Sequence, residues 1–182
     1  MNPPYKKLFP YYVIPWDFLL LQSPDLKGKC ILDKKRIILI GRSMAGKTTL
    51  CQYINKEEIR YYKTQTVHII NDQMIDTPGE YLERKYLRGA LSVSATDADM
   101  IMLVQDATEN GTMFPPGYGS MYCKPCVGVV TKSDIAQDEQ IEQAKQYLKL
   151  AGAQEIFVTS SMKGNGIEEL VKYFEKDTKR RA

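Results

Sequence analysis

The segment Gly41-Arg42-Ser43-Met44-Ala45-Gly46-Lys47-Thr48 constrains this chain more than any other part of it. It fits G-x-x-x-x-G-K-[ST] in full, and its setting is the one the pattern needs: the apolar run 36–40 reads as a strand before it and 47–55 as a helix after it. Successive backbone N–H groups of such a loop form a concavity for phosphate oxygens, and the helix N-terminus adds partial positive charge. Glycine at 41 and 46 permits backbone angles and close approach that a Cβ forbids. Lys47 brings a point charge to the β- and γ-phosphates, and the Thr48 hydroxyl is a hard oxygen ligand suited to Mg²⁺. The loop from Gly41 to Thr48, with Thr49 behind it, is expected to bind the phosphates of a nucleotide.

Length and composition agree with one packed domain. The chain has 182 residues, 43% of them apolar. Beyond the loop, short apolar runs alternate with helical patterns, the mark of an α/β sheet. Strands are expected at 66–70, 73–76, 100–105, 126–131 and 156–159, with Asn71-Asp72 as a hairpin turn. Helices are expected at 81–93, 138–151 and 166–176; Ile167, Leu170, Val171 and Phe174 share one face of the last. The Gly- and Pro-rich stretch 108–125 leaves room for only a short helix, near 118–122.

Charge excludes some classes of function. Residues 1–35 hold six Lys and three Asp, leaving 19 basic and 19 acidic residues in 36–182. The main body is neutral and carries no bulk basic charge pointing to nucleic acid, and the Lys179-Arg180-Arg181 tail reads as a solvated end. No apolar run reaches the ~18 residues of a membrane-spanning helix, so a soluble, cytoplasmic protein is expected. The four cysteines do not form a secreted disulfide framework. Cys123-Lys-Pro-Cys126 is a lone C-x-x-C without the second ligand pair that zinc usually needs, and His68 is the only histidine.

Residues 1–33 differ in character, being rich in Pro, Tyr and Leu without periodicity. Pro10, Pro15 and Asp17 interrupt what would otherwise look like a secretion signal. Three readings stand: an aromatic docking arm, a strand packed on the domain, or a translated leader upstream of a true start at Leu32, with Lys27-Gly28-Lys29 encoded by a purine-rich ribosome-binding site. The domain proper is 34–182.

Four further motifs extend the first. Asp76-Thr77-Pro78-Gly79 closes a strand; Asp76 would reach Mg²⁺ through water, and the Gly79 N–H would bond the γ-phosphate. Thr131-Lys132-Ser133-Asp134 fits [N/T]-K-x-D. The Asp134 carboxylate suits a base that offers a ring N–H and an exocyclic amine on one edge, as guanine does. Adenine would leave it unpaired, which argues for GTP/GDP over ATP. The stem of Lys132 would lie over the base. Ser160-Ser161-Met162 resembles in part the T-S-A-K loop that meets the guanine carbonyl. In Lys63-Thr64-Gln65-Thr66 a threonine should close on Mg²⁺; Thr64 and Thr66 both fit, and Thr66, nearer the next strand, is preferred. The expected metal ligands are Thr48, Thr66 and Asp76.

Order and spacing together predict a three-layer P-loop NTPase fold of the Ras-like G-domain type, a mostly parallel six-stranded sheet with one antiparallel edge strand. The chain resembles the translation-factor-related small GTPases over 34–176. At finer grain, Lys63-Thr64-Gln65, Asp76-Thr77-Pro78-Gly79-Glu80-Tyr81 and the shortened region before Cys126 resemble the EutP/PduV family of ethanolamine and propanediol utilisation. That resemblance implies association with a bacterial microcompartment, with a shell protein as partner, and acetate-kinase-type activity has been attributed within the family.

Catalytic roles would fall to Lys47, Thr66, Gly79 and Glu80. Ras-like enzymes place a water-orienting Gln where this chain has Glu80, whose charge repels the γ-phosphate, so intrinsic hydrolysis should be slow, below ~0.1 s⁻¹. Arg42 reads as a solvated loop residue, with a cis charge-stabilising role as the other reading. Three functions compete: a regulatory GTP switch, a phosphotransferase acting on a small acid with ATP, and a nucleotide-binding interaction module without turnover.

Overall fold

A computed structural model describes residues 35–180 other than Glu58, Tyr61 and Tyr62. The readings offered for 1–33, including a start at Leu32, lie outside the described residues. Six strands form one sheet: β1 (Ile37–Ile40), β2 (His68–Ile70), β3 (Met74–Asp76), β4 (Met100–Asp106), β5 (Cys126–Thr131) and β6 (Glu155–Val158). Their order is β2-β3-β1-β4-β5-β6, and every pairing is parallel except β2 with β3. The expected sheet, with its one antiparallel edge strand, is the sheet observed.

The helices are α1 (Lys47–Ile54), α2 (Glu80–Glu83), α3 (Arg88–Thr96), α4 (Asp138–Leu150) and α5 (Ile167–Arg180). Short 3₁₀ turns occupy Lys85–Leu87 and Tyr118–Tyr122. All four residues of β1 are buried, because helices cover both faces of the sheet. Alternation along the strand divides its side chains between two cores. Ile38 and Ile40 join Leu91 of α3 and Leu148 of α4, whereas Ile37 and Leu39 join Leu50 of α1 and Leu170 of α5. The core thus grips the strands whose C-terminal ends carry the motifs, and loops at that edge inherit its rigidity.

Local chemistry explains the connections. Asn71 (φ 50°) and Asp72 (φ 56°) are both left-handed, and Gln73 N donates to Ile70 O at 3.1 Å, the geometry of a primed two-residue hairpin turn. Helix α4 begins in a capping box in which Gln137 and Gln140 satisfy each other's free backbone groups.

One expected element is corrected. The helix anticipated over 81–93 is broken at Arg84, which is extended (φ −98°, ψ 117°). The cause is tertiary. Gly79 and Glu83 hold α2 on the phosphate loop, while α3 packs Leu91 and Ala95 into the core. The break frees the Leu82 carbonyl, which accepts from Arg88 Nε at 3.1 Å.

Leu103, on β4 at the centre of the sheet, is fully buried. Leu103→Ala should cost about 2–5 kcal/mol of stability by leaving a cavity that the sheet cannot collapse, as read by urea denaturation.

Candidate functional site

The phosphate loop runs from the end of β1 to the start of α1. Gly46 caps α1 in the left-handed region (φ 86°), where a side chain would be strained. A Cβ on Gly41 would lie 2.4 Å from the Val104 carbonyl oxygen, so this end of the loop packs directly on β4. Met44 is left-handed without being glycine (φ 63°), and its side chain is 86% exposed at the loop tip. Ala45 is buried. Lys47 is only 5% exposed, and its Nζ donates to the carbonyls of Gly41 (2.8 Å) and Arg42 (2.7 Å). Burial pushes its ammonium below the ordinary lysine range; the Asp76 and Glu83 carboxylates, in that order, pull it back up. Thr49 follows on the first turn of α1, half-buried.

Three oxygens converge at the foot of the loop. Thr48 Oγ1 donates to Asp76 Oδ2 at 2.6 Å, Thr64 Oγ1 reaches the same oxygen at 3.0 Å, and the two hydroxyls are 2.9 Å apart. Asp76 is 1% exposed, and its Oδ1 is buried with no hydrogen-bond partner among the described residues. An orphaned buried carboxylate oxygen beside two hydroxyls is a hard, oxygen-only donor set, and it fits Mg²⁺.

The preference for Thr66 does not match this geometry. Thr66 Oγ1 lies 3.2 Å from His68 Nε2, at the exposed start of the hairpin, and Thr64 takes the inner position. The chain approaches Asp76 at Thr64, before it turns into the edge strand.

Gly79 touches the loop closely: a Cβ there would lie 2.0 Å from Ser43 N. Glu80 pairs with Lys63 and lies 3.8 Å from Arg84 Nε. The hydrogen bond from Lys63 holds its carboxyl below the usual range, assisted by the charges of Lys63 and Arg84. The negative charge expected near the γ-phosphate position is thus partly offset by a cation from the neighbouring segment. Arg42 is not merely solvated. Its Nη1 lies 3.3 Å from Glu109 and its Nε 3.9 Å from Glu83.

On the far side, Thr131 Oγ1 donates to Ala45 O at 2.7 Å and ties the end of β5 to the phosphate loop. Lys132 is left-handed (φ 59°), and its Nζ donates to Asp106 Oδ2 at 2.6 Å. The other Asp106 oxygen accepts from Thr108 N and Oγ1, at 2.8 and 2.7 Å. Asp134 Oδ1 accepts from Ser160 Oγ at 2.7 Å, and this bond lowers its carboxyl below the usual range. Ser161 is half-buried and Met162 exposed on the loop beyond it.

The structure therefore gathers the phosphate loop, Asp76, Gly79, the 131–134 loop and Ser160–Met162 at the C-terminal edge of the sheet, where open α/β sheets bind ligands. Sequence reasoning gave no role to Lys63, though it lies in the switch segment, and missed Glu83, Asp106 and Glu109. Asp106 was findable, as a carboxylate ending an apolar strand; the others are ordinary surface charges until the fold brings them in. Cys123 is exposed and Cys126 buried; both are free thiols, and burial pushes the Cys126 thiol up to about 11. Among the described residues no group of three or more His, Cys, Asp or Glu side chains could hold a metal ion, and no helix is long and apolar enough to cross a membrane.

This is the architecture of the P-loop GTPase-like proteins, and solved structures with it are close in shape. A bacterial selenocysteine-specific elongation factor, EF-Sec, superposes with a TM-score of 0.58 at 20% identity, over 79% of this chain and 28% of that one. Era from Aquifex aeolicus, bound to GDP·AlF4⁻, gives 0.56 at 22%, over 78% and 56%. The chain therefore spans only part of each. Within this class the chain belongs to the PduV–EutP family, described as ethanolamine utilisation – propanediol utilisation, whose family model matches residues 34–176. It is 43% identical over 136 residues to the propanediol utilization protein PduV of Citrobacter freundii, covering 75% of this chain and 90% of that one. It is 30% identical over 146 residues to a protein of Escherichia coli named probable acetate kinase EutP, covering 80% and 92%.

The two threonines can be separated experimentally. Thr64→Ala should weaken Mg²⁺ binding to the nucleotide-loaded protein about tenfold, or ~1.4 kcal/mol. Thr66→Ala should change it less than about twofold, since exposed substitutions rarely cost more than ~0.5 kcal/mol. Mg²⁺ titration of nucleotide release reads both.

Proposed function

We propose that this chain is a Mg²⁺-dependent GTP-binding switch that hydrolyses GTP slowly and serves ethanolamine or propanediol utilisation, with a microcompartment shell protein as its partner. The observation that carries the reading is the Asp134–Ser160 pair. A carboxylate oriented by a buried hydroxyl, on a loop tied through Thr131 to the phosphate loop, suits recognition of guanine's ring N–H and exocyclic amine. Thr48, Thr64 and Asp76 would hold Mg²⁺, which when bound offsets phosphate charge. Lys47 would bind the β- and γ-phosphates, and the Gly79 N–H would report the γ-phosphate. Glu80, engaged with Lys63, is poorly suited to orient a water, so hydrolysis below ~0.1 s⁻¹ is expected.

Calorimetry of GTP against ATP, with Asp134→Asn beside the wild type, tests base choice. Preference for GTP by at least about 100-fold, shifting toward xanthosine nucleotides in the variant, is the expected result; a site that hydrogen-bonds its substrate rejects a mismatched partner by such factors. A second reading, phosphoryl exchange between ATP and a small carboxylic acid, rests on relatives named probable acetate kinase. Equal or tighter ATP binding, with turnover stimulated by acetate, would favour that reading and overturn the first.

A further inference from the structure

Helix α2 is one turn long and carries two carboxylates, Glu80 and Glu83, at a spacing that places them on one side of the turn. They reach different partners. Glu80 pairs with Lys63 on the segment that brings in Thr64. Glu83 Oε1 accepts the backbone N–H of Ser43 at 2.8 Å and lies 3.9 Å from Arg42 Nε. Ser43 is the third residue of the phosphate loop, so a side-chain anion of this protein already occupies one of the loop's amides.

The position of that amide identifies what it competes with. Ser43 N is the atom nearest to where a Cβ on Gly79 would stand, 2.0 Å away, so it adjoins the glycine whose N–H would face the γ-phosphate. Glu83 is also among the carboxylates whose charge acts on the Lys47 ammonium, the group that would bind the β- and γ-phosphates. A carboxylate here and a γ-phosphate would share amide and cation partners and repel each other. A diphosphate engages Lys47 through its β-phosphate but leaves the Ser43 N–H and Arg42 to Glu83.

We infer that Glu83 sets the preference between nucleoside diphosphate and triphosphate: its carboxylate latches α2 onto Ser43 and Arg42, and a γ-phosphate must displace it. Binding of the triphosphate thereby frees the Glu83 side chain from Ser43, while the diphosphate leaves the latch closed. The inference rests on the nucleotide-binding reading above and deepens it by assigning the group that distinguishes the two states of that site.

The test compares affinities of wild type and Glu83→Gln for fluorescent GDP and for fluorescent GMPPNP, with Mg²⁺, from stopped-flow association and dissociation rates. Gln keeps an acceptor for the Ser43 N–H and removes the charge. The expected result is an affinity for GMPPNP increased about tenfold, or ~1.4 kcal/mol, with the GDP affinity within about twofold of wild type. Glu83→Ala should move the ratio the same way. An unchanged ratio, or affinities for both nucleotides that move together, overturns the latch. Failure of the wild-type protein to bind either nucleotide overturns the underlying reading instead, so the two failures are distinguishable.

Discussion

Lys47 carries its ammonium into the interior of the phosphate loop, where the carbonyls of Gly41 and Arg42 accept its protons. A nearly buried cation needs such partners, because desolvation otherwise drives it toward neutrality. The loop can supply them only while its backbone stays curled, which in turn needs the left-handed turn at Gly46 and the close contact of Gly41 with β4. The carboxylates that act most on Lys47 come from elsewhere in the chain, Asp76 from β3 and Glu83 from α2. Much of the site is arranged around this one charge.

The remaining loops are tied to it by a few directional bonds. Thr131 joins β5 to the loop through Ala45, Lys132 and Asp106 join the ends of β5 and β4, and Ser133 N donates to the Thr159 carbonyl at 3.3 Å. Ser160 then orients Asp134. These ties connect strand ends that the parallel sheet already places side by side, so each costs little further ordering entropy. The side facing Glu80 and Glu83 is held by the bond from the Ser43 N–H to Glu83 and otherwise by ion pairs among partly exposed groups. Such pairs are individually weak.

Much of the fold was legible from pattern alone. Five of the six strands fall where apolar runs end in Gly, Asp or Thr, and the hairpin that follows β2 at Asn71-Asp72 uses two residues that tolerate positive φ. The long helix expected across Arg84 was not observed, because periodicity cannot reveal that Glu83 and Leu91 are drawn in different directions. Likewise Thr64 and Thr66 are equivalent in sequence, and only the approach of the chain to Asp76 separates them.

By itself the sequence determined the phosphate loop, the mostly parallel character of the sheet and, to within a residue, where each strand ends, because these follow from local backbone geometry and from the pattern of apolar runs. Tertiary structure alone decided which threonine meets Asp76, that Lys63 offsets Glu80, and that Glu83 rests on Ser43. Those contacts join residues 12 to 40 positions apart. Apart from the Ser43 backbone N–H, the groups they join are charged or hydroxyl side chains, which no local propensity marks. Packing of the elements that carry them brings each pair within reach.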